Sequence, residues 1–182
     1  MRIRLRTVLL ILIALVAVGS IWRASSAVEP TAEPTARASF VDGSCDAGHP
    51  GVSTFIDFGD ERADIAYCAM NFSGSGWDLL SERIDVQGTR EYPTGFVCRI
   101  EGWPTTKDQD CADTPTYSEG SWVYWVADSS TDGWAMSGTG SSMRKPKCGS
   151  SEAWVFSKSS LSDTENADLP SASPVVFECS KN

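Results

Sequence analysis

Apolar and polar positions along this chain change rhythm several times, and each change marks an element. Ser53-Thr54-Phe55-Ile56-Asp57-Phe58 reads as a strand, and residues 64–72 (Asp-Ile-Ala-Tyr-Cys-Ala-Met-Asn-Phe) read as its hairpin partner across the acidic turn Gly59-Asp60-Glu61-Arg62. After the punctuation Ser73-Gly74-Ser75-Gly76 the period becomes helical: Trp77, Leu80 and Ile84 share one face. Ser75 with Asp78 three residues on has the spacing of a capping box, which predicts a short helix starting there. Residues 87–94 are turn-rich. Strand-like runs then follow at 95–100, 121–127, 134–137 and 152–157, and Val175-Val176-Phe177-Glu178-Cys179 predicts a closing C-terminal strand. The order hairpin, helix, strands predicts an α+β fold: a β-grasp-like, mostly antiparallel sheet with one short helix packed on it.

The first residues follow a different rule. Arg2, Arg4 and Arg6 precede the apolar run 8–18, and small residues Ala24-Ser25-Ser26-Ala27 follow it. That order is the one a secretory signal needs, with cleavage expected after Ala27. An uncleaved anchor is the alternative, although the run is shorter than the ~20 apolar residues that span a bilayer and Arg23 interrupts it. Residues 1–27 are thus expected to be a signal peptide or N-terminal anchor. Residues 28–38 are a Pro/Thr/Ala tether expected to be disordered, and 39–158 a folded extracytoplasmic domain. Residues 159–174 are a polar linker or long loop, and 175–182 a strand tied by a disulfide.

The cysteines agree with export. Cys45, Cys68, Cys98, Cys111, Cys148 and Cys179 all follow the signal, and their even number implies three bridges whose pairing spacing alone leaves open. The short irregular loop between Cys98 and Cys111 is the best closure; Cys45–Cys68 and Cys148–Cys179 would complete a sequential scheme. Metal binding is the rival use of cysteine, but no CxxC occurs and His49 is the only histidine. The net charge is −9, and loss of the four signal arginines leaves 11 basic against 24 acidic residues, or −13. Such a surface repels phosphate backbones and anionic bilayers, which excludes nucleic acid and limits membrane contact to the N-terminal segment.

Four stretches carry a resemblance: residues 74–80 (Gly-Ser-Gly-Trp-Asp-Leu-Leu), 92–104 (Tyr-Pro-Thr-Gly-Phe-Val-Cys-Arg-Ile-Glu-Gly-Trp-Pro), Trp122-Val123-Tyr124-Trp125, and Glu152-Ala153-Trp154-Val155-Phe156. In order and spacing they resemble a group of actinobacterial secreted or surface proteins. That group is in turn similar to the bacterial domain family related to the C-terminal β-domain of intrinsic factor and transcobalamin. The resemblance covers residues 52–158, with Trp122 where Tyr is usual and Ala153 where Gly is usual. It implies a β-grasp-like fold, a non-catalytic extracytoplasmic role, and a corrinoid among the ligands to consider.

The residues offer little catalytic chemistry. A Cys–His nucleophile at Cys45 and His49 needs a free thiolate, and paired cysteines leave none. A serine triad would also depend on His49, and no G-x-S-x-G elbow accompanies it. Carboxylates for glycan hydrolysis could come from Asp57, Asp60, Glu61 and Asp64, or from Asp108, Asp110 and Asp113; the latter three could alternatively offer oxygens to calcium. Solvated turn acids are the plainer explanation of both sets. Gly138-Thr139-Gly140-Ser141-Ser142 reads as a flexible turn.

Tryptophan is the unusual feature. Trp122 and Trp125, an odd number of residues apart, face opposite sides of one strand, and Tyr124 shares the Trp122 side. One side should pack on Trp77 and Leu80; the other should carry a partly uncovered aromatic surface. Trp103, Trp122, Tyr124, Trp125 and Trp134 are therefore the candidate ligand-binding residues. The expected function is a non-enzymatic, cofactor-free, secreted or envelope-associated binding module for a small molecule or an envelope protein. A structural protein of the envelope and a carboxylate-based glycan hydrolase are the alternatives.

Overall fold

The computed structural model describes residues 37–116, 119–158 and 168–179. Residues 1–36, 117–118, 159–167 and 180–182, which include the expected signal segment, most of the expected tether and part of the linker, lie outside the described residues.

Eight strands and a short helix follow the order β1 (Ser39–Asp42), β2 (Gly51–Asp57), β3 (Ile65–Met70), α1 (Gly76–Ser81), β4 (Val86–Gly88), β5 (Val97–Ile100), β6 (Ser121–Ala127), β7 (Ala135–Met136) and β8 (Ser151–Ser157). A 3-10 turn, Gly59–Glu61, joins β2 to β3. Six strands form one sheet in the order β1-β3-β2-β8-β6-β7, and β4 pairs with β5 in a separate ribbon. Every neighbour pair in the large sheet is antiparallel except β2 and β8, which run parallel with Phe55 opposite Ala153 and Ile56 opposite Trp154. Strands β2 and β8 are buried along their whole length, as central strands covered on both faces must be.

Alternation along these strands divides the apolar residues between the two sheet faces. On one face Val52, Ile56, Tyr67, Trp122, Trp154 and Phe156 join Trp77, Leu79 and Leu80 of α1 and Val97 and Ile100 of β5. On the other, Phe55, Val123, Trp125, Ala153 and Val155 meet Trp134, Met136, Ala172 and Val175. The capping box forms. Ser75 Oγ accepts from Asp78 N, and the Asp78 carboxylate accepts from Ser75 N at 2.7 Å. The Ser75 N–H and hydroxyl, both donating to Asp78 Oδ2, hold that carboxyl below its ordinary range. The Tyr67 hydroxyl donates to Leu79 O at 2.8 Å and fixes the helix to the sheet.

The three disulfides are sequential: Cys45–Cys68, Cys98–Cys111 and Cys148–Cys179. Two expectations need correction. Residues 173–179 form no strand; they lie as an irregular strap over the second sheet face. The Ser151 hydroxyl holds Val175, donating to its O at 2.7 Å and accepting from its N at 2.9 Å, in place of a ladder. That strap also removes the predicted open aromatic surface, since Trp125 is only 5% exposed beneath Trp134, Met136 and the strap.

Candidate functional site

The five candidate aromatics separate into three places. Trp125 and Trp134 lie on the strap-covered face, where the Trp134 indole N–H donates to Ala172 O at 2.7 Å. Trp103 packs edge-on against Phe156. Only Trp122 and Tyr124 come together at a solvent-open feature, a cleft of about 280 Å³. Strand alternation points both toward α1, and the β6–β8 register sets Trp154 directly opposite Tyr124. Tyr124 stacks on Trp154 with ring centroids 4.7 Å apart. One wall is Gly95–Val97 at the start of β5; the other is Ser137–Ser141, the turn that leaves β7. None of the lining residues carries a formal charge.

Behind Tyr124 lies a polar chain that runs from the fully buried Glu152 to the half-buried Arg144 and Asp128. The Tyr124 hydroxyl donates to Glu152 Oε2, a carboxylate with no solvent exposure. Arg144 Nε donates to both Glu152 oxygens at 3.0 and 3.1 Å, and Arg144 Nη2 reaches Asp128 Oδ2 at 3.3 Å. Ser150 Oγ donates to Glu152 Oε1 at 3.4 Å. Burial pushes the Glu152 carboxyl up to about 7 despite the opposing Tyr124 and Arg144 bonds. Burial and the neighbouring carboxylate push the Tyr124 phenol up as well. The Ser130 hydroxyl and N–H hold Asp128 below its ordinary value. Glu152 is fully buried, does not line the cleft, and meets it through the Tyr124 hydroxyl. These bonds fix the orientation of the Tyr124 ring.

The walls are placed by the helix. Gly76 N donates to Arg144 O and Trp77 N to Ser141 O, both at 3.1 Å, so the first turn of α1 pins residues 141–144. Sequence reasoning read 138–142 as an ordinary turn and did not single out Glu152 or Arg144. The one available signal was a glutamate heading the apolar run Ala153-Trp154-Val155-Phe156.

Of the other candidates, Asp57, Asp60 and Asp64 come together with Asp168 along one cleft of about 420 Å³, where Ser171 donates to both Asp57 Oδ2 and Asp64 Oδ2, while Asp108, Asp110 and His49 lie elsewhere. Asp57 Oδ1 accepts from Gly59 N, and Asp64 Oδ1 from Phe58 N. Asp108 Oδ2 caps Thr105, and Asp110 Oδ1 accepts from Ala112 N, so these oxygens serve separate turns. Among the described residues no group of three or more His, Cys, Asp or Glu side chains is placed to hold a metal ion. His49 Nδ1 lies 3.3 Å from Asp46 in an exposed loop.

No family model matches the chain, and no curated protein or solved structure matches it either. What fold and site define together is a strand-rich, disulfide-stapled domain with one uncharged aromatic cleft.

Proposed function

We propose that this chain is a non-catalytic, secreted or envelope-associated binding module that receives a small neutral ligand in the Trp122–Tyr124–Trp154 cleft. The observation that carries this reading is the cleft itself: concave, aromatic at its floor, free of charge along its walls, and rigidly backed by the Glu152–Arg144 chain. An uncharged lining selects against ions, because a charged guest would lose hydration without gaining a partner. The volume suits a single sugar ring or a compact apolar group; a whole corrinoid is larger than the space. Export is supported by the three disulfides, which persist in oxidising compartments. A β-grasp-like description is supported by the sub-order β3-β2-β8-β6, a hairpin followed by α1 and a last strand inserted parallel to the first.

The test is a titration of the full chain with a panel of neutral saccharides and cyanocobalamin, followed by tryptophan fluorescence and amide NMR shifts. A ligand should perturb Phe96, Trp122, Tyr124 and residues 138–141. Gly138→Leu should abolish the response without loss of fold, since a Cβ at Gly138 meets nothing within 4 Å. Absence of any binder, or shifts that survive Gly138→Leu, would overturn the reading.

A further inference from the structure

The three disulfides differ in access. Cys45, Cys68, Cys98 and Cys111 are each at most 3% exposed, whereas Cys148 is exposed and Cys179 half-buried. The exposed pair borders a polar cleft of about 540 Å³ whose lining includes Lys147, Ser150 and Glu178. It also closes the strap. Between residues 168 and 179 the chain is held by scattered bonds rather than a strand ladder. Ser171 N donates to Asp57 Oδ2 at 2.7 Å and Phe177 N to Gly149 O at 3.1 Å, alongside the Ser151 and Trp134 contacts. Gly149 lets the strap approach this closely, since a Cβ there would fall 1.9 Å from Phe177 O. Beneath lie Phe55, Trp125, Ala153 and Val155, a preformed apolar face on two central strands.

We infer that Cys148–Cys179 is a site of thiol–disulfide exchange with an external dithiol, and that its reduction frees the strap from the Phe55–Trp125–Val155 face. One thiolate of the dithiol attacks the exposed Cys148 sulphur; a mixed disulfide forms and Cys179 leaves as a thiolate that takes up a proton. The second thiol of the reductant then displaces Cys148. The reductant ends as a disulfide, two electrons pass to the chain, and the chain carries two thiols. Access selects this bridge over the others, because the attacking sulphur must approach along the S–S axis and the two buried bridges offer no such path. Released, the strap loses the covalent closure of its C-terminal end, and the aromatic face becomes an exposed apolar patch of the kind that marks contact surfaces. Trp122 and Tyr124 point away from this face, although Val123 and Met136 border both it and the cleft; the reduction test reads cysteine labelling and quenching and needs no cleft ligand.

The experiment treats the folded, oxidised full chain with dithiothreitol in the absence of denaturant, quenches with iodoacetamide at intervals, and maps the alkylated cysteines by peptide mass spectrometry. Cys148 and Cys179 should be labelled together, on the order of tenfold or more faster than the other four. Over the same interval acrylamide quenching of tryptophan and binding of an apolar dye should rise, while amide exchange in β2 and β8 stays slow. The variant Cys148→Ser/Cys179→Ser should show the raised quenching without reductant. The inference is overturned if all six cysteines react together. It is also overturned if Cys148 and Cys179 react first while quenching and dye binding stay at their oxidised values, or if the double variant quenches like the native chain.

Discussion

The Tyr124 hydroxyl reaches diagonally from β6 to β8 and donates to a carboxylate oxygen of Glu152, which Arg144 grips from the other side. The two bonds are unequal in consequence. Tyr124→Phe removes a neutral donor and leaves the carboxylate with its cation; the cost expected is about 1–3 kcal/mol. Arg144→Ala removes the cation beside Glu152; above pH 7, where the carboxyl is ionised, about 3–5 kcal/mol is expected, and less at lower pH, where the carboxyl takes up a proton. Urea unfolding of both variants checks the order. Arg144→Ala combined with Glu152→Gln should lose less than the sum of the two single changes, because the second change removes the charge the first has orphaned.

Stability should depend on pH through Glu152. Its carboxyl lies at about 7 in the folded chain against an ordinary 4.5, so the folded state holds the proton more tightly than the unfolded one. The contribution is fully present below about 4.5 and is lost as pH rises to about 7, by an amount on the order of a few kcal/mol. Asp78 and Asp128 act in the opposite sense: both are held below 3.8, and their contributions are lost only as pH falls through the acid range. Denaturation midpoints should therefore be higher at pH 5 than at pH 7.5. Glu152→Gln should flatten that difference; a slope that survives the substitution would assign it to another group.

Local features of this fold were legible in the chain, and the long-range ones were not. The capping box at Ser75 and Asp78, the β2–β3 hairpin and the opposite orientations of Trp122 and Trp125 follow from spacing alone, because each is decided within a few residues. Strand β1 was not predicted. Phe40 and Val41 are too short a run beside the Pro/Thr/Ala tether, and they become a strand only by pairing with Ala69 and Cys68. Glu152 reads as the polar start of a strand; its pairing with β2, nearly a hundred residues away, and with β6 on the other side encloses it. The aromatic surface is half legible: the pattern puts Trp122 and Trp125 on opposite faces, but nothing local says which one meets α1 or that Ala172 and Val175 cover the other. The true cleft needs Ser137–Ser141 to fold back beside Tyr124, which depends on α1 capturing Ser141 O through Trp77 N.

That capture makes Gly76 a sensitive position. A Cβ there would lie 2.3 Å from Tyr124 Oη and 3.0 Å from Ser141 O. Alanine normally favours a helix over glycine, by about 1 kcal/mol. Here Gly76→Ala should destabilise by roughly 1–3 kcal/mol instead, since the phenol cannot move without leaving Glu152. It should also open the cleft wall, seen as faster exchange of the Trp77 amide. Gly138→Ala, with open space around its Cβ, is the matched control and should leave both stability and exchange unchanged.

Arg99 holds the Cys98–Cys111 loop in a comparable way, with neutral partners. It is 7% exposed; Nε donates to Pro104 O at 2.5 Å, Nη2 to Gln109 O at 2.6 Å, and Nη1 to the Gln87 side chain. Three acceptors from three parts of the chain meet one planar fork, which a lysine cannot reproduce. Arg99→Lys keeps the charge and forfeits most of these bonds, so a loss of roughly 3 kcal/mol or more is expected. The loosening should be local. Asp108 and Gln109 donate to Thr105 O, and Arg90 N donates to Cys111 O at 2.8 Å; these three amides should exchange faster, while those of the β6–β8 ladder keep their order of protection. Equal acceleration across the ladder would show instead that the fork supports the whole sheet, because the loop leans on β6 through the Gln109 side chain and Gly120 O at 3.2 Å.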